Sequence, residues 1–187
     1  IIGEYAHEEL PSRPKSFYAV GKLATESYLR IYSETNNINF TALRYFNIYG
    51  PGQNLGNMKQ GMASIFLSQL FSGEFPRIVI KGSLDRFRDF IFIDDVVDIT
   101  IRCIDEPQAQ NKIINVGTGV KTTVKKLLQT LMIESKIKKP IIVEGSTPGD
   151  QFGICADISV LKSFYNKDLI SIEEGLSLFV KDILQRQ

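Results

Sequence analysis

Short apolar runs alternate with amphipathic stretches along almost the whole chain, and this alternation limits what the chain can fold into more than any other feature. Phe40 to Phe46, Ile78 to Ile80, Phe90 to Ile93, Ile113 to Val116 and Ile141 to Val143 are brief and dominated by residues that favour extended backbone. Between them, apolar residues recur at three- and four-residue spacing, the signature of a helix with one buried face. Ala19, Leu23, Ala24, Tyr28, Ile31 and Tyr32 form one such series. It predicts a helix from Tyr18 to about Thr35, ended by Asn36-Asn37. Further helices are expected over 61–72, from a cap at Asp94 or Asp95 through Ile104, from Thr122 or Thr123 to about Ser135, over 158–164, and from Ser171 to Leu184. Strands this short with no polar face are buried on both sides, as in a parallel sheet covered by helices. The order predicts an α/β fold with mainly parallel pairing. Phe40 to Phe46 reads as one strand that runs into the breaking sequence Tyr49-Gly50-Pro51-Gly52.

Composition excludes several classes of function. The chain has 187 residues, 43% hydrophobic and 23% charged, with a formal net charge of +1. That is enough chain for a sizeable core, and too little net charge to attract nucleic acid or an acidic membrane. No apolar stretch approaches the roughly 20 residues that span a bilayer. The one histidine, His7, excludes a multi-histidine metal site, and a Ser-His-Asp triad would have to run through it. Cys103 and Cys155 form no CxxC and do not read as a disulfide framework, which fits a reducing, cytoplasmic compartment. No signal peptide is visible in Ile1-Ile2-Gly3-Glu4-Tyr5, and the absent initiator Met suggests a chain that starts in mid-sequence.

Three segments could carry chemistry. Tyr18 and Lys22 are four apart, so a helix presents them on one face. A fixed ammonium beside a phenol favours phenolate, which suits proton exchange with a hydroxyl group. The plain alternative is a chance pair on a solvated face. Arg44-Tyr45-Phe46-Asn47 ends a strand before a Gly/Pro loop, where the ligand crevice of an open α/β sheet lies; a strand followed by an ordinary turn is the alternative. Arg86 and Arg88 precede a buried strand and could hold a diphosphate bidentately. Against that stands a solvated loop followed by a helix cap at Asp94 or Asp95. Asn115-Val-Gly117-Thr-Gly119 has a dinucleotide-like glycine spacing, but Thr122 occupies the third glycine position and the strand lies late in the chain. It is expected to be a tight strand–helix turn.

Taken in order, these pieces resemble the extended short-chain dehydrogenase/reductase family, and within it the nucleotide-sugar epimerases and dehydratases. The matching features are Pro14-Lys-Ser-Phe-Tyr18-Ala-Val-Gly-Lys22 with Glu26, Arg44-Tyr-Phe-Asn47 with Tyr49-Gly50-Pro51-Gly52, Arg88-Asp89-Phe-Ile-Phe-Ile-Asp94-Asp95-Val96, Asn115-Val-Gly117-Thr-Gly119 and Pro148-Gly149-Asp150. The resemblance implies a partial Rossmann-type sheet lacking its first strands, interleaved over 1–187 with a smaller substrate-binding lobe. It implies NAD as cofactor, a nucleotide-sugar substrate of the UDP type, and a homodimer packed through helix 18–35. Tyr18 would be the acid/base at the sugar 4-hydroxyl as hydride passes to NAD. Lys22 would hold the nicotinamide ribose and tune Tyr18. Phe46 would lie against the nicotinamide, Asn47 would bind the diphosphate-sugar portion, Arg88 would pair with the diphosphate, and Asp150 would face the nucleotide. No metal is implied.

The departures are specific. The family's opening glycine-rich turn and its catalytic Ser/Thr have no counterpart here. Thr147 replaces an arginine usual near Asp150, and Gly61-Met62-Ala63-Ser64 lacks a usual substrate-binding Asn. A 4-epimerase is expected, with a 4,6-dehydratase or a non-catalytic sugar-nucleotide-binding or dimerisation module as alternatives. A truncated product with an exposed sheet edge is a third. Without the glycine-rich turn, the isolated chain is expected to bind NAD weakly and to be inactive.

Overall fold

The structure is a computed structural model that describes residues 5–59, 61–145 and 152–186. In chain order the elements are β1 (Tyr5–Ala6), α1 (Phe17–Asn36), β2 (Thr41–Tyr45), β3 (Asn47–Tyr49), α2 (Met62–Phe71), β4 (Ile78–Ile80), β5 (Phe87–Arg88), β6 (Phe90–Phe92), α3 (Ile93–Asp105), β7 (Lys112–Val116), β8 (Thr122–Thr123), α4 (Val124–Ser135), β9 (Ile141–Val143), β10 (Gly153–Ala156), α5 (Ser159–Lys162) and α6 (Ile172–Arg186). The pairs β2–β7, β3–β6, β4–β9, β1–β10 and β10–β5 are parallel, and only β5–β8 is antiparallel among the described residues. The fold is mixed α/β with mainly parallel pairing, as the alternation predicts.

β6 shows why the apolar runs have no polar face. Side chains alternate across a strand. Phe90 and Phe92 enter one core with Tyr49, Leu67, Leu128 and Phe179, whereas Ile91 enters a second with Ile99, Ile114 and Val116. Tyr49 meets Phe90 and Phe92 edge-on, with ring centroids 6.1 and 5.6 Å apart. A polar residue at any of the three positions of β6 would lie in a core.

Helix ends follow local rules where a side chain is available. Ser16 accepts from the Ala19 amide to start α1, Thr123 accepts from Lys126 to start α4, and Ser171 accepts from Glu174 to start α6. Asn37 ends α1 in the left-handed conformation, with φ 53°. β2 is the strand expected over 40–46; a further strand, β3, begins at Asn47 against a different partner. One expectation is corrected. Neither Asp94 nor Asp95 caps α3. Phe92 is its N-cap, and both carboxylates lie in the first turn, where they face the positive end of the helix dipole. Asp95 is buried and accepts from the Ile170 amide at 2.9 Å, and burial raises its carboxyl above the ordinary range.

α2 has no basic residue in its last turn; Lys139 does the work from 70 residues away. Its ammonium donates to the carbonyls of Gln69, Ser72 and Phe75, each at 2.7 Å. Lys139→Met removes three charge-assisted bonds and is expected to destabilise the protein by about 2–3 kcal/mol. Urea denaturation of the two proteins reads this directly, and an unchanged midpoint contradicts it.

Candidate functional site

The site is built where the chain changes partner. The Phe46 amide still donates to Val116 O of β7, at 3.0 Å, and the next amide, Asn47, donates to Asp89 O beside β6, also at 3.0 Å. One strand stops and another starts within a single peptide. Such a change of neighbour opens a crevice at the carboxyl end of a strand. Here the crevice is a cleft of about 360 Å³ lined by Ala6, His7, Arg44, Tyr45, Phe46, Asn47, Asn115 and Ile154. Phe46 and Asn47 thus share one space. The Asn47 side chain is oriented by its Nδ2, which donates to Asp89 O at 3.2 Å.

Arg44 joins this cleft to α1. Its guanidinium donates bidentately to Glu26, with both bonds at 2.7 Å, and to Glu8 O at 3.0 Å. The hydrogen bond to Glu26 raises its already high pKa. No residue of α1 is buried, so this polar fork is a main tie between the helix and β2. On α1, Tyr18 and Lys22 share a face: the Lys22 ammonium lies 5.4 Å from the centre of the Tyr18 ring. Tyr18 is 74% exposed. Neither residue lines the 360 Å³ cleft.

Arg88 is buried, not part of a solvated loop, and Nη1 donates to Phe87 O at 2.7 Å and Phe152 O at 3.4 Å. Arg86 instead donates to Lys81 O and packs against Gly82. These bonds of the two arginines reach different carbonyls, Lys81 O for Arg86 and those of Phe87 and Phe152 for Arg88. Asp150 lies outside the described residues, as does Thr147.

The glycine-spaced segment after β7 turns out to bind an anion that the chain itself supplies. Thr118 N and Gly119 N donate to Asp89 at 2.8 and 2.9 Å. Gly117 has to be glycine, because a Cβ there would lie 2.7 Å from Asp89 Oδ2 and 2.8 Å from Ala156 Cβ. The expected strand–helix turn is therefore a carboxylate cradle, followed by β8 before α4. Asp89 was missed as a site residue because its partners lie far along the chain; the Gly-Thr-Gly spacing was the one available signal. Asn115 was also missed: its amide nitrogen bridges Ala6 O and Asp157 O, at 2.8 and 3.2 Å, and floors the cleft.

A second cleft, of about 330 Å³, lies beside α5 and the start of α6. Two of its lysines are neutralised in place, Lys126 by Glu173 and Lys167 by Asp98. Cys103 and Cys155 are both buried and unpaired, and burial together with Asp89 pushes the Cys155 thiol up to about 12. Among the described residues no cluster of His, Cys, Asp and Glu could hold a metal, and no helix is long and apolar enough to cross a membrane.

The geometry agrees with what comparison finds. The chain superposes over its whole length on 59% of the UDP-glucose 4-epimerase of Thermotoga maritima solved with UDP-glucose, with a TM-score of 0.91 and 28% identity. It is 33% identical over 173 residues to the dTDP-4-dehydro-6-deoxyglucose reductase of Escherichia coli, covering 91% of this chain and 53% of that protein. It is 37% identical over 120 residues to the UDP-glucose 4-epimerase of Mycolicibacterium smegmatis, covering 64% of this chain and 37% of that one. The chain therefore spans about half the length, or less, of these curated relatives. The profile of the NAD dependent epimerase/dehydratase family matches residues 2–117. With the Tyr18–Lys22 face, the partner change at Asn47 and this match in hand, the chain belongs to the NAD dependent epimerase/dehydratase family.

Proposed function

We propose that this chain carries the acid/base helix and the sugar-nucleotide-binding lobe of an NAD-dependent nucleotide-sugar 4-epimerase acting on a UDP-sugar. Its main support is the partner change at Phe46–Asn47, which opens a cleft in a fold that superposes on an epimerase solved with UDP-glucose. Tyr18 removes the proton from the sugar 4-hydroxyl and later returns it. Lys22, on the same helix face, orients the nicotinamide ribose. Phe46 packs against the nicotinamide, Asn47 holds the diphosphate-sugar portion, and Arg88 and Asp150 hold the diphosphate and the nucleotide.

The residues described fit only one end of NAD. Tyr18, Lys22 and Phe46 suit the nicotinamide end. The chain's glycine-spaced amides are no cradle for the pyrophosphate, because Thr118 N and Gly119 N already hold Asp89. In this reading the pyrophosphate turn is supplied by a segment preceding this chain, and the isolated chain is inactive. When bound, NAD accepts a hydride and gives it back, so it is recycled. α1 also presents Tyr28, Ile31 and Tyr32 to solvent, an apolar face suited to a second copy in a homodimer.

The test is incubation of the full-length protein containing this chain with UDP-glucose and catalytic NAD. Chromatography is expected to show UDP-galactose with no net change in absorbance of the reduced cofactor. The 33% identity with a dTDP-4-dehydro-6-deoxyglucose reductase favours a second reading, reduction of a 4-keto sugar. Stoichiometric consumption of reduced nicotinamide with a 4-keto substrate would replace the first reading by the second. No reaction with either substrate would sink both.

A further inference from the structure

Asp89 is fully buried, and among the described residues the hydrogen bonds to its carboxylate come from backbone amides, a hydroxyl and a thiol. Oδ1 accepts from Thr118 N at 2.8 Å and Thr118 Oγ1 at 2.7 Å. Oδ2 accepts from Gly119 N at 2.9 Å, Ala156 N at 3.1 Å and the Cys155 thiol at 3.7 Å. Burial of a carboxylate is costly unless such donors converge on it. A core made only for stability is as well served by apolar side chains of the same volume. The main chain of the same residue does something else. Asp89 O accepts from both the amide and the side chain of Asn47, and its neighbour is Arg88. One residue therefore ties together β3 with Asn47, the strand pair carrying Arg88, the turn 117–119, and β10.

We infer that Asp89 is a positioning residue for sugar-nucleotide binding. Its carboxylate clamps the backbone at Asp89 between the 117–119 turn and β10, and the Asp89 carbonyl so held turns the Asn47 amide so that its oxygen is left to accept from the ligand. This rests on the proposed assignment of Asn47 and Arg88 to the ligand. A loosened clamp misdirects both groups together, although neither is altered.

The test uses the full-length enzyme, with UDP as the probe in isothermal titration well below the unfolding temperature. In Asp89→Asn the amide nitrogen faces N–H donors that need an acceptor. Affinity for UDP is expected to fall about tenfold or more, the cost of leaving buried donors unpaired at the clamp. KM for the sugar nucleotide rises in step, while kcat changes less and NAD content holds. Lys139→Met, which weakens the fold at the end of α2, serves as the stability control and keeps the wild-type Kd. If Asp89→Asn does not fold, Thr118→Val removes one donor and is expected to shift the Kd in the same direction by a smaller factor. A wild-type Kd in whichever of these variants folds overturns the inference and leaves the functional reading standing. A wild-type enzyme that binds no sugar nucleotide overturns that reading and the inference together.

Discussion

Tyr18→Phe in the full-length enzyme is expected to lower kcat by about 10²- to 10⁴-fold, the usual contribution of a positioned acid/base, while the protein keeps its NAD. The expectation follows from placement. Tyr18 is exposed on a helix none of whose residues is buried, so losing its oxygen removes no packing. Its near neighbour is the Lys22 ammonium, over its ring. Lys22→Met separates the two roles, because it should weaken cofactor retention as well as turnover. Steady-state kinetics with a cofactor assay on the purified variants reads both effects. Near-normal turnover by Tyr18→Phe would remove Tyr18 from the mechanism and leave the cleft at Asn47 as a binding site only.

Gly175→Ala is the second large effect, this time on stability. Alanine normally improves a helix interior by about 1 kcal/mol over glycine, and Gly175 lies within α6. Here the sign should reverse. A Cβ at this position would lie 2.1 Å from the Tyr49 hydroxyl and 2.9 Å from both Phe92 Cδ2 and Tyr49 Cζ. Tyr49 cannot yield easily, being 1% exposed and packed edge-on against Phe90 and Phe92. Overpacking of this kind costs about 1–3 kcal/mol or somewhat more, enough to lower Tm by roughly 5–10 °C in a chain of this size. Tyr49→Phe removes the nearest atom but not the ring, so the double variant Tyr49→Phe, Gly175→Ala should recover part of the loss. Calorimetry of the four proteins gives the cycle. A Gly175→Ala protein as stable as the wild type would mean that α6 can shift away from β3.

Features legible in the sequence share a short range. Tyr18 and Lys22 are one helical turn apart, so the period of the helix alone puts them on one face. Thr123 and Ser171 cap helices through amides three residues on. The apolar character of β6 announces a strand buried on both faces. What escaped depends on partners far along the chain. The start of β3 at Asn47 depends on pairing with β6, 43 residues later, through the register Asn47 with Phe90. Asp94 and Asp95 look like caps, but Asp95 is used by the Ile170 amide, 75 residues away. Asp89 reads as a loop acid beside two arginines until Ala156, 67 residues on, is brought to it.

The sequence alone determined the α/β class, most of the helix positions, the Tyr18–Lys22 face and the family resemblance, because periodicity, capping and motif spacing act within a few residues. Tertiary structure alone decided which strands meet at Phe46–Asn47, which way each arginine turns, and why a Gly-Thr-Gly turn holds Asp89. The reason is physical: a buried polar group must find its partner wherever the fold delivers one, and the distance along the chain leaves no local trace of that choice.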